Sequence, residues 1–269
     1  MEVTIHMATA QIERNIPAGS FTHTRKDNWW LMPIIIDLVI ILFIIYTILA
    51  VFYPGTDKTY QYASMHYYSP IWGIPIPQSV LNFLHWPGTL PIALLTIWAP
   101  LGFRATCYYE RKIYYRDFFT SPPACGVNGL HIRRGKYTGE RAFPFILNNL
   151  HRWFFYVTLI LMILQTLDFL YALTFGIGVG TIILFFNTLF LSLYVYSCHA
   201  LRHVIGGGRN CYNCGTLSNI QYKGWAFVTR LNENHNNWFW ISLGTVMLAD
   251  FWIRLVAGGV IGPIIFVKF

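Results

Sequence analysis

Charge is scarce in this sequence. Only 11% of its 269 residues are charged, against about a quarter in a typical soluble domain. That deficit excludes an ordinary water-soluble fold. Acidic residues are the rarer kind, with 11 Asp and Glu against 19 Lys and Arg. The N-terminal stretch MEVTIHMATAQIERN has no basic n-region, apolar h-region or small-residue cleavage site, so no cleaved secretory leader is expected.

Apolar residues fill the space that charge leaves. They make up 55% of the chain, and 18% is aromatic. Several apolar runs approach the length needed to cross a bilayer, about 20 residues. The fold class expected is all-α: a polytopic membrane helix bundle of five transmembrane helices, forming a single membrane-anchor domain over 1–269. The spans are placed at 29–52, 80–103, 153–172, 178–202 and 238–260. The second contains Pro87, Pro91 and Pro100, so it is expected to be kinked.

The basic residues are unevenly placed. Arg14, Arg25 and Lys26 precede the first span. Nine more, from Arg104 to Arg152, lie between the second and third, and Arg202, Arg209, Lys223 and Arg230 follow the fourth. Only Lys58, Arg254 and Lys268 lie elsewhere. The positive-inside rule makes the crowded side cytoplasmic. The expected location is the plasma membrane, multi-pass, with the N-terminus inside. The net charge of +8 then reflects topology, with anionic lipid and a cytoplasmic protein as partners and no nucleic acid.

All five cysteines, Cys107, Cys125, Cys198, Cys211 and Cys214, fall on or beside that crowded side. A reducing compartment disfavours structural disulfides, so a C-x2-C pair there points to metal or redox chemistry. The segment CHALRHVIGGGRNCYNC (Cys198–Cys214) is the densest cluster. His199 and His203, four apart, share one helix face. Gly206, Gly207 and Gly208 stop the helix and let Cys211 and Cys214 return towards it. Two imidazoles and two thiolates suit zinc or a Rieske-type [2Fe–2S] cluster. Haem b is a further alternative, requiring histidines on facing helices. His151, His199, His203 and His235 lie on the cytoplasmic side, whereas the outer half holds only His85, with His66 in a loop. A two-haem stack across the membrane therefore lacks an outer pair.

Three segments, FRATCYYERKIYYRDFFTSPPACGV (Phe103–Val127), YTGERAFPFILNNLHRWFF (Tyr137–Phe155) and CHALRHVIGGGRNCYNC, resemble the membrane-anchor subunit of the succinate dehydrogenase/fumarate reductase family. The similarity is to the haem-free, actinobacterial-like class whose anchor carries a membrane-embedded Rieske-type [2Fe–2S] cluster. The resemblance implies an iron–sulfur subunit and a flavoprotein subunit as partners. It also implies a quinone, menaquinone or ubiquinone, as electron acceptor. The soluble Rieske pattern, C-x-H with C-x2-H, is not reproduced here. The ligand set is accordingly taken as His199, His203, Cys211 and Cys214, with Cys107, Cys125 and Cys198 the thiols that could replace Cys211 and Cys214. The alternative reading is a membrane scaffold with a structural zinc site.

A quinone head group is expected among cytoplasmic-side aromatics: Tyr108, Tyr109, His151, Arg152, Trp153, Tyr196, His235 and Trp238. Trp and Tyr also form interfacial belts without binding anything. Arg104 could orient a quinone carbonyl, although lipid phosphate suits an Arg at that depth better. Asp250 and Arg254, four apart in the fifth span, are expected to pair. Asp37 has no partner within its own helix and is expected to face another one. Asp168 is expected at the outer interface.

Overall fold

The computed structural model describes residues 26–52, 61–62, 66–71, 77–83, 85, 93–118, 124–125, 127, 141, 143, 145–207 and 210–269. Helices dominate. They are α1 (Leu31–Phe52), α2 (Gln78–Phe83), α3 (Ala93–Thr96), α4 (Trp98–Ala105), α5 (Tyr108–Arg116), α6 (His151–Leu173), α7 (Val179–Tyr196), α8 (His199–Gly206), α9 (Thr216–Asn232) and α10 (His235–Ala257). A 3₁₀ turn, Phe145–Leu150, leads into α6. Two short antiparallel ladders complete the set. One pairs β1 (Gln61–Tyr62) with β2 (Tyr67–Tyr68), and the other pairs β3 (Gly176–Gly178) with β4 (Ile265–Lys268).

Four helices among the described residues are long and apolar enough to cross a membrane: α1, α6 with its preceding turn, α7 and α10. At 1.5 Å per residue the shortest, 18 residues, is about 27 Å long, close to the thickness of a bilayer core. Their outward faces are apolar. On α6, Ile160, Ile163, Leu164, Leu167 and Leu170 are all exposed, as lipid contact requires. The expected second span, 80–103, is not one continuous helix among the described residues. It is divided between α2, α3 and α4. Pro100 sits in the first turn of α4, where a proline removes no helical hydrogen bond. Pro87 and Pro91 lie outside the described residues.

The chain divides into two compact units, 1–41 with 110–139 and 42–109 with 140–269. In the first, Asp117 has its carboxyl pushed up to about 6, by burial first and then by the neighbouring charge of Asp37.

In the second unit, α7 packs between α6 and α10, and α4 lies against α6. Gly102 permits that last contact, since a Cβ there would meet the Phe154 ring at 2.6 Å. One core cluster, of Phe103, Phe155, Tyr194, Val195, Cys198 and Phe239, fills the end where α6 and α10 begin and α4 and α7 finish. A second, of Tyr67, Ala172, Leu184, Ala249 and Ile253, fills the other end. Near it Asp250 pairs with Arg254 at 2.7 Å, as the four-residue spacing predicts. Asp250 is fully buried and also accepts hydrogen bonds from Tyr46 and Ser69. Arg254 in turn donates to the Ala50 carbonyl at 2.6 Å.

Candidate metal centre and cavity

Alternating helix directions bring four ligand-type residues to one end of the second unit. Cys107 follows α4, His151 opens α6, Cys198 follows α7 and His235 opens α10. Cys107, Cys198 and His235 are buried to about 1% exposure or less. His235 Nε2 lies 3.4 Å from Cys107 Sγ, and His151 Nε2 lies 3.3 Å from Cys198 Sγ.

Hydroxyls hold the other ring nitrogens. Thr106 Oγ1 is 3.0 Å from His151 Nδ1, and Ser197 Oγ is 2.7 Å from His235 Nδ1. Each imidazole is therefore fixed in orientation with Nε2 turned towards sulfur. Such second contacts commonly orient metal-binding histidines. Aromatic faces seal the site: Phe103 stacks on His151 and Tyr194 on His235, both at 4.8 Å between centroids. Asn232, at the end of α9, donates to the Ser197 carbonyl at 2.7 Å and accepts from Tyr109 OH at 2.8 Å. Burial pushes the Cys198 thiol up to about 12, with the nearby Cys107 adding to the shift. Only a cation at the sulfur would make a thiolate stable there.

The expected ligand set is not brought together. His199 and His203 are exposed on α8, with their Nε2 atoms 2.9 Å apart. Burial of His199 and the neighbouring His203 and Arg202 lower the basicity of His199. Cys211 and Cys214 are exposed and joined as a disulfide. No contact links the two pairs among the described residues. Cys107, Cys198 and His235 are buried, whereas these four residues are exposed. Cys125 is exposed, and Cys107 and Cys198 are the buried free thiols.

Among the described residues, no three His, Cys, Asp or Glu groups close on a single point. A tetrahedral zinc site needs such a point. The four groups form two sulfur–imidazole pairs instead.

The quinone-pocket candidates are dispersed. Tyr108, Arg152, Trp153 and Tyr196 are exposed. Trp238 is half-buried and stacks on Phe190, while His151, His235 and Tyr109 belong to the buried centre. None of these lines the cavity of ≈ 340 Å³ in the second unit. Its polar lining includes Arg104, Thr158, Gln165 and Asp168, with Leu191, Val195 and Met162 among the apolar walls. Arg104 donates to the Phe239 carbonyl at 3.1 Å and to Ser242 Oγ at 2.9 Å. Its guanidinium also lies 4.6 Å from the Tyr194 ring centroid. Arg104 is thus held by protein. The signal for Thr158, Gln165 and Asp168 was their spacing along α6, which puts all three on one face.

These features define the class, a polytopic helical membrane protein with a buried Cys/His centre at one membrane face. The family follows from comparison. The family described as actinobacterial succinate dehydrogenase subunit SdhC matches residues 31–259, and the chain belongs to it. A solved structure, the Mycobacterium smegmatis Sdh1 complex in the apo form, contains a chain 36% identical to this one. The match has a TM-score of 0.76 and covers 95% of this chain and 96% of that one. No curated protein matches.

Proposed function

We propose that this chain anchors a succinate dehydrogenase in the membrane and passes electrons from a soluble iron–sulfur subunit to a quinone through a Rieske-type [2Fe–2S] cluster. Cys107 and Cys198 would hold one iron, and His151 and His235 the other. The observation that carries this reading is the convergence of four ligand-type residues, from four helix ends, in two sulfur–imidazole pairs. Neutral imidazoles on one iron raise the potential of such a cluster, to about −150 to +300 mV, a range suited to quinone reduction. A haem would need open space between its two histidines, but here a thiol faces each Nε2.

The residues around the centre have definite tasks in this reading. Thr106 and Ser197 fix the two imidazoles. Phe103 and Tyr194 exclude water and lipid from their faces. Arg104 puts positive charge on the cavity wall, where a quinone carbonyl gains negative charge on reduction. Arg104 precedes Cys107, and Val195 precedes Cys198, by three residues, so the cavity begins about one helical turn, roughly 5 Å, from the ligands. The concentration of Lys and Arg at this end makes it the cytoplasmic face. The iron–sulfur and flavoprotein subunits dock there, in the arrangement that the name of the Sdh1 complex suggests.

Purified complex from a native host tests the reading. Two irons and two acid-labile sulfides beyond those of the soluble subunits, with a paramagnetic signal on reduction, are expected. Zinc at this centre, or a haem spectrum, would overturn it.

A further inference from the structure

One face of α6 carries polar groups into the membrane interior. Thr158, Gln165 and Asp168 recur on the same side of the helix and all line the ≈ 340 Å³ cavity. Thr158 is buried, at 7% exposure, and its Oγ1 has no hydrogen-bond partner. The same holds for Gln165 Nε2 and, in the opposite wall, for Thr47 Oγ1. In a hydrocarbon interior an unpaired polar atom is costly, and such groups persist where they face a water-filled space. The cavity is large enough to hold several waters beside a bound ring.

Position along the helix gives the line a direction. Asp168 is 17 residues beyond His151, or about 25 Å along the axis of α6. It is partly exposed and stands near the membrane face opposite the Cys/His centre. Gln165 lies one turn inward. Thr158 lies two turns further, on the way to the end of the cavity marked by Arg104. An ionisable group in a membrane-spanning helix, lining a cavity with unpaired polar atoms, is a candidate member of a proton relay.

We propose that Asp168, Gln165 and Thr158 form a hydrated proton route from the membrane face opposite the Cys/His centre to a quinone in the cavity. The inference rests on the proposed function, because it needs a quinone to be reduced there. Oxidation of one succinate to fumarate releases two electrons and two protons on the Cys/His side. The quinone takes up two electrons, and its two carbonyl oxygens take two protons to give the quinol. If those protons come through Asp168, each turnover moves two positive charges towards the Cys/His side. The reaction then generates a voltage, although no proton crosses the whole membrane.

The complete complex in sealed vesicles with a membrane quinone tests this. Only complexes whose soluble subunits face outwards respond to external succinate. With the wild type, the vesicle interior should become alkaline and negative during turnover. Asp168→Asn should lower quinone reduction at least tenfold and abolish the interior alkalinisation. Succinate oxidation with an artificial dye, and the paramagnetic signal of the centre, should be retained. Asp168→Glu should restore both quinone reduction and alkalinisation. Wild-type quinone reduction with no interior alkalinisation would overturn the route while leaving the proposed function intact. So would Asp168→Asn at the wild-type rate. A wild-type complex that oxidises succinate but reduces no quinone would overturn both.

Discussion

His151 Nε2 lies 3.3 Å from Cys198 Sγ, although 47 residues separate them in the chain. The first residue of one membrane helix thereby meets the residue that follows another. Cys107 and His235 repeat the relationship at 3.4 Å across 128 residues. Two antiparallel helix pairs thus deliver one thiol and one imidazole each to the same membrane face.

The two sets of cysteines should behave differently. Cys211→Ser with Cys214→Ser removes an exposed disulfide and should leave the iron content and quinone reduction of the complex unchanged. Cys107→Ser or Cys198→Ser should lose the additional two irons. Iron and sulfide analysis of the purified variants distinguishes these outcomes. Loss of iron from the Cys211/Cys214 pair alone would restore the assignment expected from sequence.

Ser197→Ala removes the hydroxyl 2.7 Å from His235 Nδ1. Removing such a second contact commonly costs about 10- to 100-fold in metal affinity or activity. The expected result is a shifted midpoint potential of the centre with iron still bound, read by redox titration. Thr106→Val should act similarly through His151. An unchanged potential in both variants would mean that the hydroxyls do not orient the ligands.

Arg104→Gln should raise the KM for quinone about tenfold or more, because a charged hydrogen bond contributes roughly 1.5–3 kcal/mol. Dye-linked succinate oxidation should not change. Steady-state kinetics with a short-chain quinone measures both. An unaltered KM would place the quinone elsewhere.

Asp250→Asn should destabilise the bundle. It leaves Arg254 largely buried without its counter-charge, and breaking a buried pair in this way costs about 3–5 kcal/mol. The yield of assembled complex and its unfolding temperature in detergent should both fall. Unchanged yield and melting would show that Arg254 finds another acceptor.

Much of the bundle was legible because membrane crossing leaves a plain trace in composition. Four of the expected spans correspond to long apolar helices, and the spacing of Asp250 and Arg254 foretold their pairing. The span at 80–103 was harder: an apolar run in hydropathy, it falls into α2, α3 and α4 among the described residues. The buried Cys/His cluster was not singled out for a different reason. Sequence reasoning favours ligand-type residues that are close in the chain, as His199, His203, Cys211 and Cys214 are. Residues supplied singly by four helix ends have no local spacing to recognise. A signal was nonetheless present: a Cys or His stands at the same-side end of each of four successive apolar segments. The contacts of Arg104 with the Phe239 carbonyl and Ser242 were not legible, because they join segments far apart in the chain.

The central claim is that His151 and His235, not His199 and His203, hold the iron. Electron paramagnetic resonance of the dithionite-reduced complex, wild type beside two double variants, tests it most directly. His151→Ala with His235→Ala should abolish the paramagnetic signal of this centre while leaving the signals of the soluble subunits. His199→Ala with His203→Ala should keep it. The reverse pattern, or a signal that survives loss of His151 and His235, would contradict the account.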